Sequence, residues 1–123
     1  MKQILNFQNS RSFEERKNET DNCKQLYPND VLVVVEQSNK SKLPQKNFIK
    51  FKMSNNLAIM CVLQYIKTKI QISQYDSINL YCGKTQLRVD QTLKELHQQF
   101  KDLDGFLYIN YMEMNSFGKQ YQN

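Results

Sequence analysis

Several features that mark particular protein classes are missing or scarce in this chain of 123 residues. Tryptophan is absent, and the chain has three glycines, two prolines, three cysteines and one histidine. No run reaches the roughly 18 apolar residues of a membrane-spanning helix, and the N-terminal apolar run is too short for a signal peptide. The glycines form no phosphate-binding loop. We therefore expect any association with a membrane to come from the protein surface or from a covalently attached lipid.

The cysteines do not indicate a disulfide framework. Cys23, Cys61 and Cys82 are odd in number, widely spaced and include no C-x-x-C pair. Cys61 and Cys82 have apolar neighbours in the sequence, which predicts buried, reduced thiols that act as small hydrophobic groups. This usage is typical of the reducing cytosol.

Three kinds of functional site have weak support. A cysteine hydrolase needs a histidine base near its thiolate, and the only candidate, His97, lies on a predicted helix. Asp102 and Asp104 lack further acidic ligands for a metal, so we expect a turn with solvated carboxylates. Tyr108 and Tyr111 could stack on RNA bases, but they fall on opposite faces of a predicted strand.

The charge balance favours acidic partners without choosing among them. The formal net charge is +5 and the sequence pI is about 9.1. Nucleic acid, an anionic membrane and an acidic peptide would all be attracted. The basic residues are scattered, with mild crowding over Lys40–Lys52, which is typical of a solvated face.

The hydrophobic pattern predicts one α+β domain. The β-branched run at 31–36 predicts a central strand buried on both faces, and the alternation at 48–53 predicts a partner strand at or near an edge. Ser12 with Glu15 predicts a capping box, and Asn55 or Asn56 is expected to cap the main helix. Helices are predicted at 2–9, 13–26, 57–70 and 91–100, and strands at 31–36, 48–53, 77–82 and 106–112.

Collinear sequence blocks resemble a known family. Phe100–Tyr111 and Asn115–Gly118 are similar to the H-K-D-x-D-G-F-L-Y-x-x-Y-S-x-E-N-T-F-G pattern of the autophagy-related protein 8 family of ubiquitin-like modifiers. Phe13–Lys17 resembles its F-E-K-R-K segment, and Leu57–Ile70 resembles its main helix. Glu36, Lys40, Ser41 and Pro44 match its E-K-x-x-K-S-x-x-P region.

The resemblance implies a ubiquitin-like β-grasp, with a four-stranded mixed sheet packed on a central helix and two extra N-terminal helices. It divides the chain into a helical extension (1–27), the β-grasp core (28–112), a flexible conjugation tail (113–118) and a removable propeptide (119–123). The processing site would be Phe117, Gly118 and Lys119, and Gly118 would be the lipid-conjugation residue.

The resemblance also implies partners and a function. A cysteine protease would trim the tail, and activating and conjugating enzymes would join Gly118 to phosphatidylethanolamine. The cytoplasmic protein would then recruit cargo receptors to autophagosomal and other vesicle membranes. A soluble, non-lipidated adaptor in vesicle traffic is the alternative. Neither role is enzymatic, and neither requires a cofactor, a metal or nucleic acid.

Partner motifs of the form aromatic-x-x-aliphatic, with acidic flanks, would add a strand beside Lys50–Met53. The aromatic pocket maps to Glu19, Cys23, Leu32, Val34, Lys50, Lys52 and Phe106. The aliphatic pocket maps to Phe51, Met53, Ser54, Leu57, Val62 and Tyr65. Val34, Leu57 and Val62 could instead belong to the ordinary core.

The chain departs from the family pattern at several of these positions. Lys52 replaces the usual leucine, so its ammonium must reach solvent while its stem lines the pocket. The other departures are Cys23, Leu32, Asp30, Lys42 and the segment Met112–Met114.

Overall fold

A computed structural model describes residues 6–72 and 77–114 of the chain. The elements follow the predicted order, with one short strand added. They are α1 (Phe7–Ser10), α2 (Phe13–Leu26), β1 (Asp30–Gln37), β2 (Ile49–Ser54), α3 (Ile59–Ile70), β3 (Ile78–Cys82), β4 (Thr85–Gln86), α4 (Leu93–Phe100) and β5 (Leu107–Glu113).

The strands form one mixed sheet in the order β2-β1-β5-β3-β4. β1 is antiparallel to β2 and parallel to β5, so the predicted central strand does have neighbours on both sides. The predicted edge position of β2 is also confirmed. The sheet has five strands rather than four because β4, two residues long, is too short to give a periodic signal.

The two faces of the sheet bury separate apolar clusters. Val33 and Val35 of β1 lie in the larger cluster, with α3 and α4, whereas Val34 faces the smaller one. The smaller cluster centres on Phe7, which is fully buried between Phe106 and Phe48. Because successive side chains of a strand point to opposite faces, the β-branched run supplies both cores at once.

Local signals account for the beginnings of α2 and α4. Ser12 and Glu15 form the predicted capping box, and Thr92 with Glu95 forms a second one. The predicted asparagine cap of α3 is wrong: Ala58 occupies that position and makes no side-chain cap.

The first amides of α3 find acceptors far along the chain instead. The N–H of Ile59 donates to the carbonyl of Gln91 at 2.8 Å, and that of Met60 donates to Val89 at 3.0 Å. A tertiary contact therefore replaces the local cap.

Two further expectations need correction. Cys82 is buried, but Cys61 is only half-buried. The tail was expected to begin at Glu113, yet this residue ends β5 and its carboxylate accepts hydrogen bonds from Ser41 Oγ at 2.7 Å and Lys42 N at 2.6 Å.

Candidate functional site

The candidate site is the groove between α2 and the edge strand β2. β2 pairs with β1 on one side only, so in the described part of the chain its outer backbone groups have no strand partner. Ile49, Phe51 and Met53 pack against the larger core, and Lys50 and Lys52 project from the other face. An open edge with side chains on both faces can accept an extended peptide as an additional strand.

Two lysines of β2 bridge the groove to α2 and the turn that follows it. Lys50 Nζ lies 2.6 Å from a carboxylate oxygen of Glu19. Lys52 Nζ lies 3.2 Å from the centre of the Tyr27 ring and 3.8 Å from an oxygen of Asp30. The Lys52 ammonium therefore reaches the groove rim, as its long stem allows.

The aromatic half of the groove has a deeper floor than its sequence suggests. Val34 and Phe106 are fully buried, because Phe7 packs over them with its ring centroid 4.9 Å from that of Phe106. Leu32 and Cys23 are partly exposed. Burial raises the pKa of the Cys23 thiol, so this side chain is a neutral part of the wall. Contact with a partner would therefore fall on the partly exposed residues.

The aliphatic half contains both surface and core residues. Leu57 is 37% exposed, while Phe51, Met53, Ser54 and Tyr65 are partly buried. The Phe51 and Tyr65 rings contact each other with centroids 4.6 Å apart. Val62 is fully buried in the larger core and therefore supports the pocket from beneath.

A buried carboxylate that the sequence analysis missed anchors α2 beside this groove. The expectation that Asp104 lies solvated in a turn is wrong, because its side chain has no exposed surface. Its oxygens accept hydrogen bonds from Arg16 Nη1 at 2.5 Å, Tyr108 Oη at 2.5 Å and the N–H of Phe106 at 2.8 Å. Arg16 and Asp104 are 88 residues apart, so no local spacing could have revealed the pair.

The anchor shifts the protonation equilibria of its neighbours. Burial opposes the charge of Arg16, but the hydrogen bonds to Asp104 and Tyr108 outweigh it and raise the Arg16 pKa. Burial, together with the bond to Asp104, raises the pKa of Tyr108. The arginine therefore stays charged and the phenol stays protonated at neutral pH.

Gly105 lets α2 approach this closely. Thr20 of α2 donates from its hydroxyl to the carbonyl of Asp104 at 2.5 Å. A Cβ on Gly105 would lie 2.7 Å from Cβ of Thr20 and nearer still to its hydroxyl, and the φ of Gly105 is +94°. Both the space and the backbone conformation require glycine here.

The cysteine and histidine side chains give no sign of a catalytic or metal site. Burial raises the pKa of Cys82 to about 12, which keeps its thiol protonated. His97 Nε2 lies 3.0 Å from the carbonyl oxygen of Gly105. Within residues 6–72 and 77–114, no three His, Cys, Asp or Glu side chains are grouped to hold a metal ion.

The predicted conjugation residues cannot be placed. Phe117, Gly118 and Lys119 lie outside the described residues. The last described residue, Met114, donates its N–H to the carbonyl of Ser77 at 2.8 Å, just beyond the end of β5. No helix among the described residues is long and apolar enough to cross a membrane.

Comparisons with known proteins give one consistent result. The family model described as "Autophagy protein Atg8 ubiquitin like" matches residues 15–118. Autophagy-related protein 8 of Mycosarcoma maydis is 26% identical over 113 residues, covering 92% of this chain and 96% of that protein. Autophagy-related protein 8e of Arabidopsis thaliana is 29% identical over 112 residues, covering 91% and 92%.

Solved structures match the fold along almost the whole chain. The crystal structure of Trypanosoma brucei ATG8 matches with a TM-score of 0.83 at 21% identity, covering 94% of this chain and 100% of that one. Plasmodium falciparum Atg8 in complex with a Plasmodium falciparum Atg3 peptide matches with a TM-score of 0.77 at 26% identity, covering 89% and 99%.

Proposed function

Because this chain belongs to the Atg8 family of ubiquitin-like autophagy proteins, we propose that it is a modifier, cleaved after Gly118 and joined through that residue to phosphatidylethanolamine. The family match extends to Gly118, which follows Phe117 and precedes five further residues. Glycine lacks a Cβ, so a chain ending there fits the narrow channels of processing enzymes. The protein is a substrate of these enzymes and catalyses nothing itself.

The proposed cycle needs three kinds of enzyme partner. A cysteine protease hydrolyses the peptide bond after Gly118 and releases Lys119–Asn123. An activating enzyme uses ATP to adenylate the Gly118 carboxylate, releasing pyrophosphate, and its thiol displaces AMP to form a thioester. A conjugating enzyme takes over this thioester and transfers the Gly118 acyl group to the amine of phosphatidylethanolamine, which frees the enzyme thiol. The complex of the Plasmodium relative with an Atg3 peptide supports a partner of the third kind. The unconjugated protein would be cytoplasmic, and the conjugate would lie on autophagosomal and other vesicle membranes.

We further propose that the groove between α2 and β2 binds acidic aromatic-x-x-aliphatic segments of cargo receptors. The open edge of β2, with partly exposed apolar side chains at both ends, is the observation that carries this proposal. An acidic flank would compete with Glu19 for Lys50, speeding encounter more than it raises final affinity. Phe106 and Val34 would support the aromatic pocket beneath Phe7.

Conjugation is tested by the intact mass of protein recovered from cells. Wild type should lose Lys119–Asn123 and gain the mass of a phospholipid, whereas Gly118→Ala should do neither, because a methyl group obstructs a channel shaped for glycine. Gln122→Ala, in the same terminal segment but outside the predicted processing site, is the matched control and should be processed normally. A wild-type chain that keeps its last five residues, with the groove still active, would establish the alternative of a soluble adaptor.

Peptide binding is tested by titrating an acidic aromatic-x-x-aliphatic peptide while recording backbone amide shifts. The shifts should cluster over residues 48–57. Lys52→Leu should tighten binding by about 1 kcal/mol, because it adds an apolar group to the aromatic pocket. Leu57→Ala should weaken binding, while Leu103→Ala, at a position 86% exposed in another loop, should leave it unchanged. Shifts elsewhere, or weaker binding by Lys52→Leu, would remove the groove from the proposed function.

A further inference from the structure

One long stretch of the chain carries positive charge only. Residues 37–72 contain seven lysines and no aspartate or glutamate. Two of the lysines, Lys50 and Lys52, pair with Glu19 and Asp30 across the groove. Within the described part of the chain, the other five form no ion pair: Lys40, Lys42, Lys46, Lys67 and Lys69.

These five lysines, the lysine face, gather at one end of the molecule. Three belong to the loop after β1, which the carboxylate of Glu113 holds against the end of β5 through Ser41 Oγ and Lys42 N. Lys46 lines a cavity of about 310 Å³ with Ile70 and Tyr111, which joins this loop to the end of α3. Lys67 and Lys69 lie in the last turn of α3.

Among residues 6–72 and 77–114, few carboxylates oppose the lysine face. Burial opposes the charge of Glu113, but hydrogen bonds from Ser41 and Lys42 outweigh it and lower its pKa, so it is charged at neutral pH. Glu36, near the end of β1, accepts the N–H of Phe7 at 3.1 Å and so faces the cluster on the other side of the sheet. The lysines outnumber both, and the face keeps a positive potential.

The conjugation tail leaves from the same end. β5 ends at Glu113, and four residues separate Met114 from the carboxyl of Gly118. Four residues span at most about 14 Å when fully extended. A lipid joined to Gly118 would therefore hold this end within about 14 Å of the headgroups, close to the Debye length of roughly 8–10 Å at physiological salt.

We propose that the lysine face lies against anionic lipid headgroups when the protein is conjugated, and thereby sets its orientation on the membrane. The proposal rests on conjugation through Gly118, since the short tether brings this face to the surface. All five residues are lysines, whose compact, hydrated ammonium groups suit a fluid headgroup layer, whereas arginine is favoured for bidentate pairing with protein carboxylates. The open edge of β2 lies along the side of the molecule and stays free for a partner.

The test measures the attraction before any conjugation has taken place. Full-length protein is mixed with vesicles of phosphatidylcholine alone or with about three parts in ten of phosphatidylserine, and the bound fraction is followed as salt rises. Binding should require phosphatidylserine and fall with salt. Each lysine near the membrane surface raises the partition coefficient about fivefold. The double variant Lys42→Gln with Lys46→Gln should therefore lower that coefficient about 25-fold.

The matched control removes two charges at the opposite end. Lys24 lies in the last turn of α2, and Lys94 donates its N–H to Asn55, which itself bonds to Asn29 just before β1. β1 separates this end from the lysine face by about 23 Å. Lys24→Gln with Lys94→Gln gives the same net charge and should change the partition less than twofold, and thermal unfolding should show both pairs to be folded.

The outcomes separate this proposal from the proposed function. Gly118→Ala should abolish conjugation and leave vesicle binding unchanged. If the protein is conjugated in cells, two results would overturn the lysine face while leaving the proposed modifier function intact. One is an equal loss of vesicle binding for the two double lysine variants. The other is vesicle binding that shows no preference for phosphatidylserine. If Lys42→Gln with Lys46→Gln blocked conjugation while vesicle binding stayed at the wild-type level, the face would bind an acidic enzyme surface instead of lipid.

Discussion

At the scale of single residues, the buried pair of Arg16 and Asp104 has the largest consequence for stability. The guanidinium is nearly buried, and the carboxylate has no exposed surface. Neither group can be rehydrated where it lies, so each depends on the other. Residues at the tip of the last loop therefore govern how firmly α2 is attached to the sheet.

We expect Asp104→Asn to lower the free energy of unfolding by about 3 kcal/mol, because it leaves the Arg16 charge buried without its counter-ion. The matched control is Asp90→Asn, which breaks the exposed pair with Arg88 and should cost less than about 1 kcal/mol. Urea unfolding of both variants at neutral pH measures the difference. Similar losses of unfolding free energy in the two variants would mean that the buried Arg16–Asp104 pair stabilises the fold no more than an exposed pair does.

Predictions for single residues succeeded where neighbours in the sequence determine the environment of the side chain. Cys82, which has apolar neighbours in the sequence, is buried as expected. Asp104 was wrongly assigned to solvent, because its partner comes from the other end of the chain. The burial of Val62 and Phe106 likewise depends on what packs against them, which no local pattern specifies.

At the scale of elements, α1 buries one side chain. It spans four residues, far too few for an isolated helix to be stable, and Phe7 is its only buried residue. The Phe7 ring packs edge-on against Phe48 and Phe106, with centroids 5.2 and 4.9 Å away. The position of α1, and with it the floor of the aromatic pocket, depends on this contact.

Phe7→Ala should lower the free energy of unfolding by about 3–4 kcal/mol, since it removes a large buried side chain and leaves a cavity. Phe13→Ala, at a position 48% exposed, should cost much less. Urea unfolding gives both values, and amide exchange at residues 8–10 should rise in the first variant before the sheet is affected. Unchanged exchange there would show that α1 has another anchor.

The sequence predicted the longer elements because hydrophobic period and capping residues agree. The alternation of β2 and the capping box of α2 both appear where expected. It did not predict β4, which has two residues, or the start of α3, whose amides bond to carbonyls about 30 residues away. Elements that depend on distant backbone groups carry no local signature.

At the scale of the whole molecule, the helical extension and the sheet are expected to fold as one unit. The extension contributes Phe7 to a core that also contains Val34 of β1. Arg16 and Thr20 of α2 bond to Asp104 just before β5. The helices α1 and α2 therefore share an apolar cluster and a buried ion pair with the rest of the described fold.

Urea unfolding of the whole chain should show one cooperative transition. Amide hydrogen exchange, measured as urea rises, follows α2 (Phe13–Leu26) and β1 (Asp30–Gln37) separately. Both should lose their protection at the same urea concentration. Protection lost in α2 at lower urea would show that the extension unfolds separately from the sheet.

The position of β5 decides how the molecule would respond to pulling. A tail fixed at Gly118 and a partner held on the β2 edge would draw the sheet in opposite directions along its strands. β5 has five register pairs with β1 and four with β3, and pulling along β5 strains the hydrogen bonds on both sides together instead of opening them one by one. If the protein is conjugated and binds partners as proposed, the central placement of the last strand would make this small domain a mechanically stiff link between a membrane and its cargo.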